Sequence, residues 1–278
     1  MSAAARVVLL LSGGGAKAAA HAGALRALAE AGIAPARIVG TSMGAVIGAC
    51  AGAGVAPEAI VEGIARLGVK GVVRSPLAPW GGVWLESLLR GDALRRAIAD
   101  LVPARDFAEL RIPLTVTATD LDTGALVRFG EDGEAAPLID ALHASCALPV
   151  FYPAVVLGGR RLGDGGLRGV VPFLAAADVP ADLVIAVDIG PGFDTAGEPP
   201  QAQYPPLVAR HSDAVGILMA ANTEAELARW RADPARPPLV YVRPRVEQRA
   251  TFRVDRAAEY AEEGYRAARA ALGGGVRS

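Results

Sequence analysis

Val7-Val8-Leu9-Leu10-Leu11 runs without a polar residue into Ser12-Gly13-Gly14-Gly15-Ala16-Lys17, and an alanine-rich stretch then continues to Gly32. Five consecutive aliphatic residues suit a strand covered on both faces. The glycines break it, and the small-residue run from Ala16 to Ala31 predicts a helix stopped by Gly32. The pattern then repeats: Arg37-Ile38-Val39-Gly40 predicts a second short strand, and Met43 to Ala53 a second helix. Strand, glycine turn and helix, twice over near the start of the chain, predict an α/β fold with a mostly parallel central sheet.

Working outward, Leu114 to Ala118 and Ala125 to Phe129 read as paired strands joined through Asp120-Leu121-Asp122-Thr123-Gly124. A helix is expected over 136–146, then strands around Val155 and Arg161, then the turn Asp164-Gly165-Gly166. Leu183 to Asp188 is another buried strand, and residues 190–206, with five prolines and no periodicity, form a loop. An amphipathic helix from Leu207 to Trp230, a strand at Leu239 to Val242 and a last helix opening at Asp255 complete the reading. There is no internal repeat and no boundary. Residues 1–278 are expected to form one domain, with a core over 6–242 and a C-terminal helix over 255–272. Residues 68–92 differ in character, with Pro76, Pro79, Trp80 and Trp84 in apolar company. Trp80 and Trp84 either contact substrate beneath a lid or fill the core beside a loop.

Composition narrows the function. The chain is 52% hydrophobic and 21% charged, with a formal net charge of −1, which offers no electrostatic footprint for nucleic acid. Cys50 and Cys146 each lie in an apolar run and read as buried free thiols. No stretch approaches the roughly 18 to 20 unbroken apolar residues of a membrane span. The expectation is a cytoplasmic protein.

Two motifs carry chemistry. Gly40-Thr41-Ser42-Met43-Gly44 is a G-x-S-x-G sequence between a strand and a helix, the context of a nucleophile elbow. Gly40 and Gly44 would permit the sharp turn, and the helix N-terminus behind Ser42 favours developing negative charge. Ser12-Gly13-Gly14-Gly15-Ala16-Lys17 fails two phosphate-binding readings. Lys17 is followed by Ala18 where a Walker loop needs Ser or Thr, and no acidic residue ends the second strand as a dinucleotide site requires. An oxyanion hole built from amides of Gly13, Gly14, Gly15 and Ala16 competes with a plain strand-to-helix turn.

A serine nucleophile needs a base. Among three histidines, His21 and His143 sit within helical segments that suggest packing, and His211 falls early in a helix with no glycine turn to present it. Asp164, followed by two glycines at a strand end, can approach another loop closely. In an apolar pocket its pKa would rise and make it a better base. Asp120 and Asp122, between Thr119 and Gly124, suit turn stabilisation instead.

Taken in order, Gly13-Gly14-Gly15-Ala16-Lys17, Gly40-Thr41-Ser42-Met43-Gly44 and Asp164-Gly165-Gly166 resemble the three signatures of patatin-like phospholipases. The resemblance extends to Ala118-Thr119-Asp120-Leu121, to Ala144-Ser145-Cys146-Ala147-Leu148-Pro149 and to Gly264-Tyr265, and is strongest with compact bacterial members. It implies a three-layer α/β/α fold and hydrolysis of lipid acyl esters by a Ser42–Asp164 dyad, with neither histidine nor metal nor other cofactor. It also implies an oxyanion hole in the Gly13 to Ala16 loop and a lipid or acyl-ester substrate met with peripheral membrane contact. One position departs from the pattern: Ala18 stands where the family usually has glycine. Lys17 matches the family's basic position and either faces a phosphate head group or tethers a neighbouring loop. Competing functions on the same core are an acyltransferase or thioesterase, and a non-catalytic lipid-binding regulator. The intact Ser42 and Asp164 weigh against the regulator.

Overall fold

The structure, a computed structural model, describes residues 5–67, 91–192, 206–246 and 254–275. Its elements follow the chain as β1 (Val7–Leu11), α1 (Ala19–Glu30), β2 (Arg37–Thr41), α2 (Met43–Gly52), α3 (Pro57–Leu67) and α4 (Gly91–Leu101). There follow β3 (Leu114–Asp120), β4 (Leu126–Gly130), α5 (Leu138–Ser145), β5 (Val155–Leu157) and β6 (Arg160–Asp164). The chain ends with β7 (Leu183–Val187), α6 (Pro206–Ala232), β8 (Leu239–Val242) and α7 (Ala257–Gly275). Trp80 and Trp84 lie outside the described residues, so the lid reading of 68–92 stays an expectation.

The strands form one mixed sheet in the order β5-β6-β3-β2-β1-β7-β8, with β4 added alongside β3. The run β3-β2-β1-β7-β8 is parallel, β4 and β6 pair antiparallel with β3, and β5 pairs antiparallel with β6. The aliphatic run of β1 is covered on both faces as its composition requires. Leu9 and Leu11 belong to one core, shared with α1 to α5 and α7, and Val8 and Leu10 to a second. That second core is capped by Phe173, by small residues of the 170–179 segment and by Trp230 of α6, so helices flank both faces unequally. On the crowded face α1 and α7 touch backbone to backbone. A Cβ on Gly264 would sit 1.9 Å from the Ala20 carbonyl oxygen, so glycine is required at this crossing.

Several expectations shift. The helix read from Ala16 opens as a 3-10 turn over Gly15–Ala18 and becomes α-helical only at Ala19. Helices α3 and α4 were not anticipated, although Pro57 and Glu58 start α3 in the manner of a helix N-terminus and Ile60 and Ile64 bury its inner face. Helix α6 is found where expected, but its outer face carries large apolar side chains among polar ones: Leu207, Ile217 and Leu218 are exposed. Cys50 and Cys146 are buried and free, and burial pushes both thiols up, Cys50 to about 12. Among the described residues no helix is long and apolar enough to cross a membrane.

Register places the site. Leu11 pairs with both Gly40 and Val187, so β1, β2 and β7 end level, where strand order runs outward in both directions. Strand β3 does something less usual. Its edge facing β4 is occupied over Thr115 to Thr119, so β2 and β6 share the opposite edge end to end. β2 pairs there through Thr41 opposite Thr117, and β6 takes over with Asp164 opposite Ala118.

Candidate active site

Ser42 follows directly on β2 and precedes α2, with φ 54° and ψ −132°. For a residue with a Cβ this conformation costs on the order of 1–3 kcal/mol, and it persists only where the surroundings fix it. The flanking glycines make the turn possible: a Cβ on Gly40 would lie 2.5 Å from Ala45 Cα, and one on Gly44 would lie 2.4 Å from the carbonyl oxygens of Leu11 and Ser12. The Ser42 amide donates to Ser145 Oγ at 2.8 Å, and Ser145, the last residue of α5, is fully buried.

The Ser42 hydroxyl donates to Asp164 Oδ2 at 2.7 Å. Asp164 Oδ1 accepts the Gly166 amide at 2.7 Å, and its carbonyl accepts the Thr119 hydroxyl at 2.9 Å. Ser42 is 8% exposed and Asp164 6%. Burial raises the Asp164 carboxyl to about 6, opposed by the hydrogen bonds from Ser42 and Gly166. The threonines of β3 hold both halves of the pair. Thr117 Oγ1 reaches the Gly40 carbonyl at 3.3 Å and Thr41 Oγ1 at 2.8 Å, while Thr119, two residues on and on the same face, secures Asp164. Thr119 and Ser145 entered the sequence reading only as matches to the family pattern, without a role, and Thr117 not at all. The signal for the threonines was the alternation of Thr with apolar residues along Leu114 to Asp120.

The glycine loop runs against the nucleophile: a Cβ on Gly13 would be 3.2 Å from Ser42 Cβ. The Gly13 amide donates to the Val170 carbonyl at 3.0 Å, so Gly13 contributes close approach and not a free donor. Gly14 caps the 3-10 turn, and Gly15 and Ala16 begin it, ahead of the first intrahelical hydrogen bond. His21 supports the loop from below. Fully buried and held down to about 4 by burial, it is neutral, and its Nε2–H donates to the Ser12 carbonyl at 2.9 Å. Ser12 Oγ in turn accepts the Ile189 amide at 2.8 Å. Ala18 takes ordinary helical angles, φ −57° and ψ −16°, with its methyl in the core, so no glycine is needed there.

Lys17 is buried, 2% exposed, and its ammonium is lowered to about 8 by burial and by Arg243, with Asp188 opposing. Asp188, just past β7, is held by Arg243 at 2.9 Å, by the Gly190 amide and by the Tyr241 hydroxyl. This setting favours the loop-tether reading of Lys17 over a head-group contact. His211 is exposed on α6 and makes no described contact with Ser42 or Asp164. His143 is depressed by burial and Arg95. Asp120 Oδ1 accepts the amides of Asp122 and Thr123, and Asp122 pairs with Arg161 at 3.0 Å, the turn-stabilising roles expected of them. Among the described residues no group of three or more His, Cys, Asp or Glu side chains could hold a metal ion.

Residues 9–177 match the sequence profile of the Patatin-like phospholipase family. The chain belongs to this family. It is 36% identical over 184 residues to an uncharacterized NTE family protein of Mycobacterium tuberculosis, covering 66% of this chain and 49% of the relative. It is 30% identical over 205 residues to the uncharacterized protein YqhO of Bacillus subtilis, covering 66% and 70%. It is 31% identical over 193 residues to human patatin-like phospholipase domain-containing protein 6, covering 68% of this chain and 14% of that one. The chain thus spans about half the length of the mycobacterial relative. The solved structure of VipD from Legionella pneumophila superposes over 97% of this chain and 67% of its own, with a TM-score of 0.50 at 15% identity, which supports the patatin-like fold.

Ser145→Ala is expected to leave the buried Ser42 amide unpaired and to lower stability by about 1–3 kcal/mol. Thermal melting checks this, and an unchanged melting temperature would mean that the amide finds another acceptor.

Proposed function

We propose that the protein is a serine acyl hydrolase that cleaves carboxylic esters of lipids, of phospholipase A, lysophospholipase or simpler lipase type. The observation that carries the reading is the hydroxyl of Ser42 donating at 2.7 Å to a buried carboxylate, Asp164. The strained backbone of Ser42 and the family membership support it. Ser42 Oγ attacks the ester carbonyl carbon while Asp164 Oδ2 takes its proton. The new oxyanion is held by amides of the Gly14 to Ala16 loop, assisted by the N-terminus of α2. Asp164 then protonates the departing alcohol. In the second half it takes a proton from water, which attacks the acyl-Ser42, and returns a proton to Ser42 as the fatty acid leaves. Lys17 supports the glycine loop through its attraction to Asp188, against repulsion from Arg243.

Purified protein assayed on nitrophenyl esters of rising chain length, then on phospholipids, tests the reading. Absence of hydrolysis on all of them would remove it.

The base must be ionised, and the Asp164 carboxyl lies at about 6. kcat/KM is therefore expected to be level above that value and to fall about ten-fold per pH unit below it. An acid limb centred near 4 would show that Asp164 is more hydrated in the working enzyme than this geometry implies.

A further inference from the structure

Helix α6 crosses the turn that carries the proposed base. Asn222 Nδ2 donates to the Arg168 carbonyl at 3.1 Å, and Met219 Cε lies 3.5 Å from the point where a Gly166 Cβ would sit. One turn back from Asn222 is Leu218, 70% exposed, and with it on the outer side of the helix lie Leu207, 82% exposed, and Ile217, 56% exposed. Ala214 and Ala221 are exposed in the same row, so the stripe from 207 to 221 is roughly 21 Å long. Leu167 is exposed on the catalytic turn itself, beside the exposed Arg168, and Arg210 and His211 are exposed between Leu207 and Ala214. Most surface helices of soluble proteins turn polar residues outward. Here much of the outward face is apolar, interrupted by Arg210 and His211, and the helix packs against the turn that carries Asp164.

We propose that this stripe, together with Leu167, is the surface by which the protein lies on a lipid bilayer, with Arg168 and Arg210 at the level of the phosphates. The proposal rests on the lipid hydrolase reading and names how that site meets its substrate. A second protein copy over the stripe would also cover Leu167 and the turn bearing Asp164, obstructing the way to Ser42. A bilayer in the same place delivers ester substrate to it. Exposed leucines and an isoleucine flanked by arginines match an interface that is apolar below and anionic at the head groups.

The test uses the full chain carrying Ser42→Ala, so that binding is read without turnover, and vesicles of phosphatidylcholine with and without phosphatidylglycerol. The protein is expected to co-sediment with vesicles. Adding Leu207→Ser, Ile217→Ser and Leu218→Ser should weaken the partition at least about ten-fold while leaving the melting temperature within a few degrees. Undiminished binding by the triple variant overturns the proposal. So does a dimer in light scattering that the same substitutions dissociate, with no vesicle binding, since the stripe would then belong to a second copy. Native protein that cleaves soluble nitrophenyl esters but never sediments refutes the docking surface alone. Protein that sediments through the stripe but hydrolyses no ester refutes the catalytic reading alone.

Discussion

Ser42→Ala is expected to lower ester hydrolysis by up to about a million-fold, because removing a nucleophile leaves only what the oxyanion donors and substrate binding supply. Loss of the hydroxyl removes the bond to Asp164 but leaves the elbow glycines and the Ser145 contact in place, so the variant should fold. A fluorophosphonate probe should label the native protein at Ser42 and the variant nowhere. Labelling at another serine, or turnover that survives the substitution, sinks the assignment.

Asp164→Asn is expected to cost about 10,000-fold in kcat, since the amide cannot accept the Ser42 proton. His143→Ala and His211→Ala should keep most of their activity, and a collapse in the folded His211 variant would replace the dyad by a triad. The same substitution has a second, opposite consequence. The Asp164 carboxyl ionises at about 6 in the folded protein against 3.8 ordinarily. As pH rises through this window the unfolded chain loses its proton first, so the carboxyl's contribution to stability is present below the window and lost above it. The cost at pH 8 is on the order of 3 kcal/mol. Asp164→Asn should therefore melt above the wild type at pH 8, with the difference closing toward pH 4. An equal deficit at both pH values would mean that the variant breaks contacts beyond the charge.

Much of the sheet was readable because its strands are unusual in composition. The unbroken aliphatic runs at Val7 and Leu183 leave no choice but burial on both faces, and the glycine turns after β1 and β2 mark their ends. Ser42 and Asp164 were legible through the same turns. What escaped was long-range. Nothing local indicates that Ser145 meets the Ser42 amide across 103 residues of chain, or that Thr119 meets Asp164 across 45. The Gly13 amide, counted from the sequence as an oxyanion donor, is taken by Val170, a partner that only the folded chain brings near. Helices α3 and α4 escaped for a different reason: each buries only a narrow side, Ile60 and Ile64 in α3 and Gly91, Leu94 and Ile98 in α4, so the apolar period is short.

The shared edge of β3 fixes more than the position of two residues. Strand pairing shifts only in whole-residue steps, and a slip by one turns each side chain to the other face. The spacing of Ser42 and Asp164 is therefore quantised by the ladder: Thr41 opposite Thr117 and Asp164 opposite Ala118 leave no intermediate setting. Of the chain between the two residues, which stand 122 apart in sequence, only β3 and the end of β6 enter that spacing. Insertions in the connections that leave the sheet can lengthen, shorten or reshape the surroundings of the site without detuning its reacting atoms. The fold thus separates the part that must stay constant for acyl chemistry from the parts free to diverge toward new substrates.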